Sequence, residues 1–597
     1  MSSRFMRVKL DSRAGGEKGF RGCRRVISAA MSRVLLSGSP ARGAAPGDSG
    51  QWRGARGARL VIIAATAVAL TVRMMVLLRP GYLLGVTEYD DGVYFGSALR
   101  LASGIFPYRD YACVQPPGIT VLLLPVALLA KVTGTPAALA VARVLTAAVG
   151  AAATPLAGLL VRHRGVPATL VTCGILAVYP AGISASHTVL LEPWLVAACL
   201  AGSLALFDAG GLTARPARLG WAGAAFGVAG AIKVWAVIPV LVIVGLCLAA
   251  PPAGRSRARR TLIFTGGTAA GFAVPVVPFA ALAPRSFVDG VVVAQLVSRH
   301  YRPGAIFRLS YLSGVSALPR PVPAEVVVTV SAAITALAVC ATAAAWRMSR
   351  RRPPALDWFA LLTAAAVVAA LCWPDRFYYH YAAFLAPFLA LSLGLPLARL
   401  AAALTASGAG RRPAGHARPG EGQGAAGRVV TAAAALLLAV MAAAQFLAVT
   451  SLRPAWVPGR RLVREIPPGA CVAASVSSFA IAADRFTSAV PGCAPPVDAL
   501  ATLMTMTGGR GSPQPTPAER LRVARVWQAA FARAQVVWLY GQHGYIPWNR
   551  ELFSWFARRF RPVRGRPLSP LPPCGPPSGR SCHPRGGLYV RRDAALR

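Results

Sequence analysis

Residues 59–78 read RLVIIAATAVALTVRMMVLL, and stretches of this kind recur along the chain. About 20 apolar residues in a helix cross the hydrocarbon layer of a bilayer, and a helix is one of the few backbones that can hydrogen-bond itself fully there. This repetition constrains the fold more than any other feature, and it predicts a polytopic α-helical membrane protein. Hydrophobic residues make up 55% of the 597 positions and charged residues 14%. A soluble chain of this length would need more charge to cover its surface.

The net charge of +44 could point to a nucleic-acid partner. The arginines cluster between apolar segments, however, where the positive-inside rule places them on the cytoplasmic side, so no nucleic acid is expected. The basic residues are nearly all arginine, and the only lysines are Lys9, Lys18, Lys131 and Lys233. Residues 1–57 are Arg-, Gly- and Ser-rich without an apolar core of the signal-peptide kind. They read as a disordered basic cytoplasmic tail.

Charge and hydropathy together thread residues 58–450 through the membrane. Span 59–78 runs outwards and delivers a first outer loop, 79–136. If the short apolar piece 117–132, preceded by Pro116-Pro117, also crossed, segment 137–161 would carry the sequence RHRG (162–165) to the outer face. Placing 117–132 on the outer surface instead returns those arginines to the cytoplasm. Continuing in this way gives about 11 crossings, with a short pair at roughly 219–233 and 234–250, and leaves residues 451–597 outside.

That tail is different material. The runs CVAAS (471–475), QVVWLY (535–540) and GLYV (587–590) alternate with helical patterns near 517–533 and 549–560, which predicts a small extracytoplasmic α/β domain. Four of the 11 cysteines lie there, on the oxidising side of the membrane. Cys471–Cys493 with Cys574–Cys582 is one of three connectivities open to them; closing the first loop would be worth about 3 kcal/mol. Five more cysteines lie in spans, and no spacing suggests zinc.

Acidic residues are scarce, 20 in all, yet Glu88, Asp90, Asp91 and Asp110 fall together in VTEYDDGVYFGSALRLASGIFPYRDYACVQPPG (86–118). Between Asp110 and Asp289 the only acids are Glu192 and Asp208. On this threading Glu192, Lys233, His300, Arg302 and the run DRFYYHY (375–381) approach the same outer face. A charge at mid-bilayer costs about 2.5–3.5 kcal/mol on insertion scales, so Glu192 and Lys233 need partners or water. Each also has a structural reading. Loop acids are commonly just solvated; Glu192 can start a helix before Pro193, and Lys233 can snorkel. His187 and His380 can be structural, and Tyr378 and Tyr379 can belong to an interfacial aromatic belt.

The acidic pair after the first span, the continuation YRDY…QPPG and the EPW after the third span resemble the GT-C glycosyltransferases. These are polyprenyl-phosphate-sugar-dependent membrane enzymes that include protein O-mannosyltransferases and the lipid A aminoarabinose transferase. The sequences DRFYYHYAAFLAPFLAL, IPPGACVAASVSSFAIAADRF, GC…VD and GYIPWNRELFSWFARRF are similar to actinobacterial members. One departure is Gln115, where the family's element before a surface helix carries His or Lys.

The resemblance implies transfer of a sugar from the lipid phosphate to an acceptor hydroxyl at the outer face of the plasma membrane, with inversion. Asp90 would be the base, with Asp91 second and Glu192 as another carboxylate. Lys233, Arg302 and Arg376 would meet the donor phosphate. Tyr94, Gln115, His300, Tyr379 and His380 are candidates for the acceptor or the sugar. Family members differ in their use of a divalent cation, so Mg2+ or Mn2+ stays open. The partners expected are a polyprenyl-phosphate-sugar donor, a glycan or protein acceptor, and the bilayer. The rival readings are a secondary transporter, which would show inverted repeats, a non-catalytic glycan-binding membrane scaffold, and a ligase of whole glycan chains.

Overall fold

A computed structural model of the chain describes residues 49–249, 255–297, 303–318, 322–350, 352–373, 376–409, 425–507, 516–540, 545–563, 584 and 586–593. Within it, seven helices are long and apolar enough to cross a membrane: Ala55–Leu77, Thr135–Arg164, Ser256–Leu282, Ala324–Ser349, Ala355–Cys372, Tyr379–Leu404 and Thr431–Thr450. Shorter apolar helices span Gly118–Thr133, Val166–Val178, Glu192–Leu206 and Val234–Ala249. The short pair expected around Lys233 consists of the helices Pro216–Ile232 and Val237–Ala249, separated by Lys233 in extended backbone and one 3-10 turn.

Both ends of the helix Gly118–Thr133 lie at one end of the bundle. At its start, a side chain on Gly118 would stand 2.5 Å from the Ala231 carbonyl oxygen, so only glycine lets the helix meet the chain next to Lys233 so closely. Just past its last turn, Thr135 N–H donates to Asp484 of the tail at 2.7 Å. A helix tethered this way lies along one end of the bundle. The arginines that follow the helix Thr135–Val161 lie at its other end. There Asp357 receives Arg164 and Arg399, each at 3.3 Å.

The tail carries a four-stranded sheet. β3 (Val472–Ala474) runs parallel to β4 (Val536–Leu539), while β6 (Gly587–Arg591) is antiparallel to both β4 and β5 (Phe560–Pro562). A separate two-stranded hairpin, β1 (Phe207–Asp208) and β2 (Gly211–Leu212), closes the far end of the Glu192 helix. The helix Pro517–Arg533 begins on a full capping box, Thr516 with Glu519, which satisfies two of its first backbone N–H groups. Asn549 caps the helix Arg550–Arg559 in the simpler way.

The tail is not separated from the helical body by packing. Ile466, Val472, Phe479 and Trp538 belong to the same continuous apolar core as Phe95, Leu99 and Leu123 of the first-loop region. That shared core fixes where the tail's polar groups meet the acidic pair. Cys471 and Cys493 are bonded, their Cα atoms 5.6 Å apart. Cys574 and Cys582 lie outside the described residues.

Candidate active site

The helix Asp90–Ala102 starts on its two acids, side by side in sequence and opposite in environment. The Asp91 side chain is fully buried. It accepts Arg143 at 2.5 Å, Thr188 at 2.7 Å and Ser478 at 2.6 Å. Arg143 is itself fully buried and also donates to the carbonyls of Tyr82 and Leu83, tying the loop to a spanning helix. A buried ion pair of this kind is held only when its remaining hydrogen-bonding positions are filled, as they are here. Asp91, expected as a second catalytic carboxylate, is thus held in a buried ion pair and does not line the cavity that Asp90 lines.

Asp90 points the other way, because neighbouring positions at a helix start diverge by about 100°. Its side chain keeps 30% of its surface and lines a cavity of about 450 Å³. Tyr94, one turn on, approaches Asp90 Oδ2 with its hydroxyl at 3.5 Å. Burial pushes the Asp90 carboxyl up to about 7, against the opposing pull of His380 and with the help of the nearby acids Glu88 and Asp498.

His380 joins the first loop to the bundle. Its Nε2 stands 3.6 Å from Asp90 Oδ2, and its Nδ1 stands 2.9 Å from Glu192 Oε2, without the alignment of a hydrogen bond. Glu192 Oε1 receives Lys233 Nζ at 2.6 Å. Four groups from distant parts of the sequence therefore form one row: Asp90, His380, Glu192, Lys233.

The last member of the row does not reach the cavity. Lys233 is 3% exposed, and its ammonium is covered by the rings of Trp235 and Tyr381 at 3.6 and 4.1 Å. Cation–π contacts and one carboxylate take the place of water. Lys233, expected as a point charge on a phosphate, is paired with Glu192 and does not line the cavity. The cation that does line the cavity is Arg376, whose Nη2 donates to the Ala294 carbonyl at 2.8 Å. Gln115 and Gln295 line the same space. His300 and Arg302 lie outside the described residues.

The tail completes the cavity with Asp498, Leu500, Met504 and Tyr545. Asp498 caps the helix Ala499–Met506 and accepts the Tyr89 hydroxyl at 2.8 Å; burial raises its carboxyl above the ordinary range. Tyr379, from the 3-10 turn that also carries His380, donates to Glu88 at 2.7 Å. Among the described residues no three His, Cys, Asp or Glu side chains are placed to hold a metal ion. Asp90 and Glu192 face His380 and Lys233.

Several of these residues carry signals in the sequence. Arg143 is the only charge between Lys131 and Arg162, a position that calls for a buried partner. Asp498 and Ser478 lie inside the tail stretches that carried the resemblance, but nothing local marks them as site residues. Their role depends on how the tail docks.

No protein-family profile matches this sequence, and no curated protein matches it. Among solved structures it is similar to ArnT from Cupriavidus metallidurans in the apo state, at 18% identity and a TM-score of 0.48, over 78% of this chain and 94% of that one. It is also similar to the oligosaccharyltransferase AglB from Archaeoglobus fulgidus in complex with an inhibitory peptide and a dolichol-phosphate, at 15% identity, TM-score 0.47, over 81% and 69%. A third is the arabinofuranosyltransferase AftD from Mycobacteria, at 14% identity, TM-score 0.44, over 89% of this chain and 40% of that one.

Proposed function

We propose that the chain is an inverting membrane glycosyltransferase. It moves a sugar from a polyprenyl-phosphate donor to an acceptor hydroxyl at the outer face of the plasma membrane. The observation that supports this best is the division of labour within the acidic pair. Asp91 is consumed by Arg143, Thr188 and Ser478, which leaves Asp90 open to the cavity with its carboxyl raised to about 7.

A base does most when its pKa lies near the working pH. Asp90 draws the proton from the acceptor hydroxyl as the oxygen attacks the anomeric carbon, and the carbon–phosphate oxygen bond breaks on the opposite face. The departing phosphate keeps the electron pair, and Arg376, with Gln115 and Gln295 beside it, holds the charge that develops. His380 orients Asp90, and the Glu192–Lys233 pair fixes His380 from below. Tyr94 and Tyr379 border the sugar. One displacement with no sugar–enzyme bond inverts the anomeric centre.

The test is transfer by the purified protein in a bilayer, using polyprenyl-phosphate-linked sugars of known anomeric configuration and NMR of the product. Inversion is expected. A product of retained configuration, or passage of the lipid-linked sugar across the bilayer without transfer, contradicts the reading.

A further inference from the structure

Glu88 is a first-loop acid that the proposed reaction does not use. Its carboxylate accepts the Tyr379 hydroxyl at 2.7 Å and the Tyr89 N–H at 3.0 Å. Glu88 and Tyr379 form the wall between two cavities. On one side lies the cavity of Asp90; on the other lies a second of about 370 Å³, which the same two residues also line.

The second cavity has a mixed lining. Its apolar residues include Val76, at the end of the helix Ala55–Leu77, with Ile183, Val449 and Leu452, and Gln445 lines it beside them. Two of the candidate spans thus reach it with the ends nearest the acidic loop and the tail. Its polar lining includes Thr87, Glu88, His187 and Tyr379. The His187 Nδ1 is engaged by the Ser184 carbonyl.

Charge separates the two spaces. The cavity of Asp90 carries Arg376. Among the described residues the second cavity is lined by no lysine or arginine, and it presents Glu88. An anionic phosphate would meet a carboxylate there with no cation to offset it, whereas hydroxyl groups would find acceptors and donors.

We propose that this second cavity is the acceptor's entry site, and that the acceptor is a membrane amphiphile with a neutral, hydroxyl-rich head and an apolar tail. The Tyr379–Glu88 hydrogen bond closes the site off from Asp90 until that head arrives. This rests on the reading of Asp90 as base and adds the class of the acceptor and the side from which it comes.

The test uses the full chain in phosphatidylcholine nanodiscs and two probes: a photoreactive decyl glucoside and decaprenyl monophosphate. Glucoside labelling of the wild-type chain should map to peptides carrying Val76 or Val449 and should persist under excess decaprenyl phosphate. A448W, which fills the cavity from a residue that lines it, should lower that labelling about tenfold and change decaprenyl phosphate affinity less than about twofold. Displacement of the label by decaprenyl phosphate, labelling elsewhere, or loss of decaprenyl phosphate binding in A448W overturns the proposal. If A448W does not fold, the mapping and the competition decide it on the wild-type chain. Both readouts measure binding, so D90N leaves them as in wild type, and a failure of the glycosyltransferase reading shows in the transfer assay alone.

Discussion

The Ser478 hydroxyl of the tail donates to Asp91 Oδ1 of the first loop at 2.6 Å, across 387 positions of sequence. The Ser478 hydroxyl oxygen in turn accepts the Gly92 N–H at 3.1 Å. A side chain at Gly92 would stand 2.2 Å from the Ser478 nitrogen, so the two backbones are in direct contact. The tail therefore sets the geometry of the helix start that presents Asp90.

S478A should act through that geometry. It removes one of the partners of a buried carboxylate, a loss of about 1–3 kcal/mol, and so lowers the unfolding temperature. Transfer should slow while donor affinity stays near wild type, because Ser478 meets the cavity residues Glu88 and Tyr89 only through their backbone carbonyls. A combined thermal-unfolding and single-turnover measurement checks both. S478T, which keeps the hydroxyl, should restore part of the rate.

The Glu192–Lys233 pair offers a second test, since it assigns Lys233 to charge balance. Removing one partner of a buried ion pair leaves an uncompensated charge and costs about 3–5 kcal/mol. K233M and E192Q should each destabilise strongly, and the double variant should recover much of the loss. Donor binding by the folded fraction of K233M should be little changed. Strong additive losses in the double variant would show that the two residues act separately.

The pH dependence follows from Asp90. As a base it works ionised, so the rate must rise with pH through its value of about 7 and level off above it. Between pH 6 and 8 the ionised fraction grows about tenfold. A single-turnover profile that is flat over this range, or that falls, would remove Asp90 from the role of base.

Arg376 should govern the phosphate. R376A is expected to weaken decaprenyl phosphate binding by about tenfold or more, a charge-assisted contact of about 1.5–3 kcal/mol. R376K should recover only part, since an ammonium lacks the planar fork that also holds the Ala294 carbonyl. Equilibrium binding in nanodiscs reads this directly.

The helical architecture was legible because lipid leaves the backbone few choices. Helix Pro517–Arg533 and the three tail strands read from runs of Val, Trp and Tyr lie where their patterns placed them, within a residue or two. The strand at Phe560–Pro562 did not announce itself, since three residues carry no period. Asp90, Glu192 and His380 stood out as rare charges or polar groups in an apolar chain, and they do meet. What the sequence could not separate was Asp90 from Asp91, because adjacent residues differ only in the direction a helix turns them. The covering of Lys233 by Trp235 and Tyr381 was equally hidden: it depends on the docking of a turn some 145 residues away.

The most direct measurement is single-turnover transfer by D90N alongside its affinity for decaprenyl phosphate. A fall of about 10²–10⁴ in rate, with donor affinity and unfolding temperature close to wild type, is the expected result. Transfer by D90N at the wild-type rate would contradict the assignment of Asp90, and with it the chemistry proposed for this cavity.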